Sequence, residues 1–140
     1  MKLLVAKSEL EKLWKHAIAG YPSEVVGILA GARGTSEVTF VQPLVNERAE
    51  THNRYKVSGL LLMRAEQALE AQGLEIVGYY HSHPDHPSEY SEYDRAHALP
   101  NMSYLITSVT AAKIVTTQSW RLREDRSAMD EEIIIYSEEI

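Results

Sequence analysis

Apolar residues recur at Leu10, Leu13, Trp14, Ala17 and Ile18, the i, i+3, i+4, i+7, i+8 spacing of one helix face. This spacing predicts an amphipathic first helix, with Ser8 and Glu11 at capping-box separation near its start and Gly20 and Pro22 stopping it. The pattern then changes to short apolar runs rich in β-branched residues. EVVGILAG (24–31) and SEVTFVQPLV (36–45) read as two strands, joined into a hairpin through the turn-like ARGTS that contains Gly34. NERAETHNR (46–54) is polar and aperiodic, as a loop would be. LLLMRAEQALEAQ (60–72) returns to strong helix formers, with Leu62, Ala65 and Leu69 on one face and Gly73 placed as a C-terminal cap. LEIVGYY (74–80) reads as a buried strand, and a helix restarts near Ser91. MSYLITSVT (102–110), AKIVTTQSWRL (112–122) and EEIIIY (131–136) read as three further strands, the first two linked by a tight turn near Ala111.

The order αββαβαβββ predicts a single α/β domain over residues 1–140, a mixed β-sheet flanked by helices. A chain of 140 residues is long enough to bury its own core. No run approaches the roughly 20 apolar residues of a membrane-crossing helix. Lys7 and Glu9 interrupt the N-terminal apolar patch before a secretory segment forms, so a cytoplasmic location is expected. The formal charge of −6 repels phosphate backbones, and nucleic acid is not an expected partner. The chain has no cysteine, which excludes disulfides, thiolate zinc sites and thiol nucleophiles. Any metal would fall to His, Asp, Glu and water.

One stretch, YYHSHPDHPSEYSEYD (79–94), places three histidines and three serines in sixteen positions directly after an apolar strand. His81 and His83 stand two apart at a strand end, so both imidazoles point to one face. Pro84 removes a backbone donor and helps the chain turn, and Asp94 is the natural third group on its return. Two His and a carboxylate form the ligand set of a catalytic zinc, whose open fourth position holds a water of lowered pKa. SEYD (91–94) also has the spacing of a helix capping box, and Ser91 can serve both purposes. Such a zinc also needs a proton-transfer group. Glu24 opens an otherwise apolar strand, and its local pattern fits either that role or a solvated residue beside Ser23.

Glu24, HSHP (81–84), six intervening residues and SEYD (91–94) together resemble the motif of the JAMM/MPN (Mov34/MPN/PAD-1) zinc metalloproteases, a Glu followed by H-x-H-P and S-x-x-D. The likeness also covers EVVGILAG, GYYHSHP and the order of elements. It implies a JAMM/MPN-like (cytidine-deaminase-like) architecture. It implies one Zn2+ held by His81, His83 and Asp94, with Glu24 as general base and acid and Ser91 donating to the oxyanion. Members hydrolyse peptide or isopeptide bonds next to the C-terminal tail of ubiquitin or a ubiquitin-like protein. The small free-standing prokaryotic type is nearest in size, which makes a sulfur-carrier protein of the ubiquitin fold the expected substrate.

Other residues carry less. Asp85 and His86 fit an exposed loop better than ligation, His97 lies one turn beyond Asp94 where it could support the site, and Asn46 and Tyr55 fall in the family's loop region. Three other functions fit the sequence less well. A non-catalytic MPN scaffold would typically have lost ligands that this chain keeps. A RadC-like, DNA-repair-associated protein disagrees with the charge of −6 and the lack of room for a DNA-binding module. A zinc nucleobase deaminase needs cysteines that are absent here.

Overall fold

The structure, a computed structural model, describes residues 1–46 and 59–137. Its elements run β1 (Lys2–Ala6), α1 (Lys7–Gly20), β2 (Val26–Ala32), β3 (Glu37–Val38), β4 (Phe40–Leu44), α2 (Gly59–Ala71), β5 (Leu74–Pro84), α3 (Glu92–His97), β6 (Ser103–Thr110), β7 (Lys113–Leu122) and β8 (Met129–Ser137). The loop expected over 46–54, apart from Asn46, lies outside the described residues, as does Tyr55.

All eight strands join one mixed sheet in the order β3-β1-β8-β7-β6-β5-β2-β4. β3 and β4 stand at opposite ends of that order, yet only Thr39 separates them in sequence. Laid flat, eight strands at about 4.8 Å would hold these ends roughly 34 Å apart. The sheet therefore curls until its two edges meet. At the meeting point Thr39 N–H donates to Ala30 O at 2.9 Å. Pro43, lacking a backbone donor, sits on the edge strand β4, where none is needed.

α1 fills the inside of the curl. Its buried Leu10, Leu13 and Ala17 pack with Leu3, Val5, Leu29, Val38, Val41, Tyr80 and Leu105, contributed by strands all round the sheet. The Tyr80 hydroxyl lies 2.7 Å from His16 Nδ1. Burial pushes the Tyr80 pKa up and that of His16 down, which favours the neutral form of both partners. On the outer face, Leu69 of α2 covers Ile28 and Ala30 of β2. Strand β2 is thus covered on both sides, which explains its continuous apolar sequence.

Both helices anticipated from periodicity form where expected, and Gly73 adopts φ +78 behind α2. Three details differ from the sequence expectation. β1, not anticipated, inserts between β3 and β8 in parallel register with both, and such distant pairing leaves no local signature. It runs straight into α1, so Ala6 occupies the N-cap position without a side-chain cap, and Ser8 sits inside the helix instead of capping it with Glu11. The second strand divides at Thr39 because its first part pairs with β1 and its second with β2. Among the described residues, no helix is long and apolar enough to cross a membrane.

Gly78, in β5, pairs with Ser103 of β6, and a Cβ there would fall 1.9 Å from the Ser103 carbonyl oxygen. Backbone blocks the space, so the strands would have to part. Gly78→Ala is expected to destabilise the fold by at least about 1–3 kcal/mol, read as a melting temperature several degrees lower. An unchanged melting temperature would show that the pair can yield.

Candidate metal centre

The site is built by parity across three strands. Tyr80 and Ser82 turn to the inner face of β5, while His81 and His83 turn outward. Val26 pairs antiparallel with His81, and Ser82 N–H donates to Val25 O at 3.1 Å, so Glu24 comes opposite His83 on the outer face. Ser82 Oγ also accepts from Val25 N–H at 2.8 Å. The strand ends at Pro84, as its ring predicts, and the chain then turns over β6 and β7.

That turn is tied down at many points. Asp85 N–H donates to Val109 O at 2.8 Å, and Ser108 Oγ donates to His86 O at 2.6 Å. The buried Ser88 hydroxyl lies 2.7 Å from both Thr116 Oγ1 and Gln118 Oε1, and Trp120 Nε1 donates to Ser88 O at 3.0 Å. Tyr21, on the loop before Glu24, reaches both Asp85 carboxylate oxygens at 2.8 and 2.9 Å. The spacer DHPSEY therefore acts as a braced arm that delivers Ser91 and Asp94.

At its end Ser91 caps α3 through a complete capping box. Ser91 Oγ accepts from Asp94 N–H at 3.1 Å, and Ser91 N–H donates to Asp94 Oδ2 at 2.8 Å. The box turns the Asp94 carboxylate toward the two rings. His81 Nε2 lies 3.1 Å from Asp94 Oδ1, His83 Nε2 lies 3.3 Å from Asp94 Oδ2, and the two Nε2 atoms are 3.2 Å apart. His83 Nδ1 is 2.8 Å from Pro87 O. A carbonyl can only accept, so Nδ1 carries a proton and the ring turns its Nε2 to the centre.

Burial alone would raise the Asp94 pKa, but hydrogen bonds from His81 and His83, with Ser91 N–H, outweigh it and hold the carboxyl well below the usual range. Burial lowers the pKa of the enclosed His81, with Asp94 opposing. For His83 the same penalty is overcome by Asp94, by the Pro87 carbonyl and by the charge of Glu24, and its pKa rises. Two imidazole nitrogens and a carboxylate turned to one point offer three donor atoms that a cation could take up. Donors about 2.0–2.1 Å from a tetrahedral ion stand about 3.3 Å apart. The observed separations, 3.1 to 3.3 Å, match that requirement. His81, His83 and Asp94 thus form a group that could hold a metal ion.

The group opens onto a cavity of about 330 Å³ lined by Glu24, His83, His86, Pro87, Glu89, Tyr90, Ser91 and Asp94. Glu24 is only 5% exposed, so its carboxylate belongs to this cavity and is not the solvated residue that its local pattern also allowed. Three of the lining residues are acidic and none is Lys or Arg, so the cavity favours a positive charge. Among the residues of lesser claim, His86 lines the cavity wall and Asp85 is taken by Tyr21. His97 stacks on Tyr93 at 4.0 Å, with Nδ1 against the Tyr93 carbonyl, and is not part of the wall. Sequence reading missed Ser82, Ser88 and Tyr21. For Ser82 a signal existed, because the residue between two outward histidines must point inward.

Fold and site together define a mixed α/β domain with a three-donor group at a strand end that could hold a metal ion. Residues 6–123 match the prokaryotic homologs of the JAB domain, and the chain belongs to that family. It is 36% identical over 104 residues to a probable TtuB-protein conjugate cleaving protease of Thermus thermophilus, covering 74% of this chain and 68% of that protein. It is 34% identical over 112 residues to the desampylase of Haloferax volcanii, covering 76% of this chain and 81% of that protein. A protein of Desulfitobacterium hafniense, solved in solution, superposes with a TM-score of 0.85 at 30% identity, covering 100% of this chain and 95% of that one. A JAB1/MPN domain protein of Archaeoglobus fulgidus shares the fold, with a TM-score of 0.60 at 13% identity over 96% of this chain and 98% of that one. The JAMM/MPN resemblance and the mixed-sheet architecture are both borne out.

Dialysis against Zn2+ followed by elemental analysis checks the donor group. The wild-type chain is expected to retain about one equivalent, whereas His83→Ala and Asp94→Ala retain a small fraction of it. Equal retention by the variants would remove these residues from the site.

Proposed function

We propose that the chain is a zinc-dependent metallopeptidase or isopeptidase that cleaves the bond next to the C-terminal tail of a ubiquitin-like protein of sulfur-carrier type. The observation that carries this reading is the convergence of His81, His83 and Asp94 at the wall of a cavity that also exposes Glu24 and Ser91. Two relatives support the substrate class, one named a probable TtuB-protein conjugate cleaving protease and the other a desampylase.

The donors suit zinc, which accepts nitrogen and carboxylate oxygen in a tetrahedral set of three protein ligands. Bound there, the ion would supply Lewis acidity, lowering the pKa of a water and polarising the scissile carbonyl. Glu24 stands opposite His83 with its carboxylate out of bulk water, where it accepts a proton from the attacking water and returns it to the departing amine. Ser91 Oγ uses a lone pair for the cap, so its O–H is available to donate to the carbonyl oxygen as negative charge builds. The braced arm and the capping box hold these groups in place before substrate arrives. Preformed geometry of this kind lowers the entropic part of the barrier.

Turnover of a conjugate or linear fusion of a Gly-Gly-ended ubiquitin-like protein tests the roles. Glu24→Gln is expected to keep about one bound Zn2+ while losing at least about 10³-fold in kcat. Ser91→Ala is expected to lose about 10²- to 10³-fold, the cost of one oxyanion donor, with a small loss of stability from the missing cap. Unchanged turnover by Glu24→Gln would remove it from the mechanism. Metal-free protein that still binds the ubiquitin-like partner tightly but never cleaves it would favour a scaffold.

A further inference from the structure

We infer that Asn46 and Ser82 clamp the peptide plane after Glu24 and so aim its carboxylate at the metal group, acting as positioning residues. The inference rests on the proposed role of Glu24 as proton-transfer group. Glu24 lies just before β2, where the regular ladders have ended. In the antiparallel pairing Val26 faces Leu44, so the same register carried outward sets Asn46 across from Glu24. Chain neighbours therefore fall in the row Asn46, Glu24, His83.

Beside the backbone bond from Ser82 N–H to Val25 O, two side chains bond the peptide between Glu24 and Val25. Asn46 Nδ2 donates to Glu24 O at 2.9 Å, and Ser82 Oγ accepts from Val25 N–H at 2.8 Å. Glu24 C=O and Val25 N–H belong to one planar peptide unit. The plane is held at its carbonyl from the β4 side and at its amide from the β5 side, which restrains the main chain at Glu24. The restrained backbone sets the direction of the Glu24 Cα–Cβ bond, and so the point from which its carboxylate reaches the cavity. Chemistry explains the residue types: the carbonyl needs a donor, which an Asn amide supplies and an Asp carboxylate does not, and the amide needs an acceptor, which the Ser hydroxyl supplies. Ser82 is fully buried directly behind the two outward histidines, so the clamp and the metal donors share one strand.

The test uses Asn46→Ala, Ser82→Ala and Ser82→Thr, with Glu24→Gln alone and combined with Asn46→Ala. Turnover is measured on a ubiquitin-like fusion substrate, bound Zn2+ by elemental analysis, and Val25 amide exchange on the metal-free chain. Asn46→Ala is expected to lower kcat about 10- to 100-fold, the scale of a 1 Å misplacement. KM and the single bound Zn2+ should stay as in the wild type, and the Val25 amide should exchange about tenfold faster. Ser82→Thr, which keeps the hydroxyl, should recover most of what Ser82→Ala loses. In the Glu24→Gln background Asn46→Ala should cost nothing more, because there is no longer a base to aim. If the Asn46→Ala loss persists in full in that background, or kcat is unchanged, or Zn2+ is lost with activity, the clamp is overturned while the base stands. A Glu24→Gln chain with wild-type turnover overturns the base reading itself, and the aiming role with it.

Discussion

The register of β5 between β2 and β6 is the constraint on which the site depends. A strand shows alternate residues to opposite faces, so a slip of one residue would turn His81 and His83 into the core and bring Tyr80 and Ser82 out. Several features hold the register against that slip. Tyr80 is fully buried against α1 and hydrogen-bonded to His16, Gly78 permits a close approach to Ser103, and Ser82 binds Val25 through both its hydroxyl and its amide. The residue between the two metal-ligand candidates thus works on the opposite side of the sheet from them, and the curl that closes β3 and β4 around α1 keeps that side apolar.

Electrostatics separates this centre from an ordinary buried polar cluster. Glu132 is as buried as His81, yet it accepts from Ser119 Oγ at 2.6 Å and has the Arg121 guanidinium at 3.9 Å. The fold has answered that carboxylate with a donor and a cation of its own. Glu24 and Asp94 are buried too, but the cavity they line brings them imidazoles and no Lys or Arg. Asp94 is answered instead by the Ser91 amide and by the two imidazoles that face it. Imidazoles, unlike a guanidinium, can present nitrogen lone pairs beside that carboxylate, which is what a metal donor set requires.

Much of this arrangement was legible in the sequence. The two long helices, the strands from 74 onward and the convergence of His81, His83 and Asp94 followed from periodicity, strand parity and capping-box spacing, all of which are local. What escaped was non-local. β1 forms only because β3 and β8 lie beside it, and the cap expected at Ser8 gave way because β1 runs directly into α1. Glu24 was ambiguous from its neighbours alone, since its burial depends on β5, more than fifty residues away. Asp85 and His86 of the spacer are exposed, as expected, but its bracing was not legible, because Ser108, Thr116, Gln118 and Trp120 are all supplied by β6 and β7.

That bracing bears on how a chain this short can hold a reactive centre. Asp94 serves two elements at once: its Oδ2 accepts the Ser91 amide that closes the α3 capping box and also faces His83, while its Oδ1 faces His81. The helix start therefore orients the carboxylate whether or not an ion is present, just as the Pro87 carbonyl orients the His83 ring. With the donors already in place, little conformational entropy remains to be lost when a cation enters, and binding retains more of its intrinsic favourable energy. The same bonds that finish the backbone of a six-residue helix thus also set the direction of the Asp94 carboxylate.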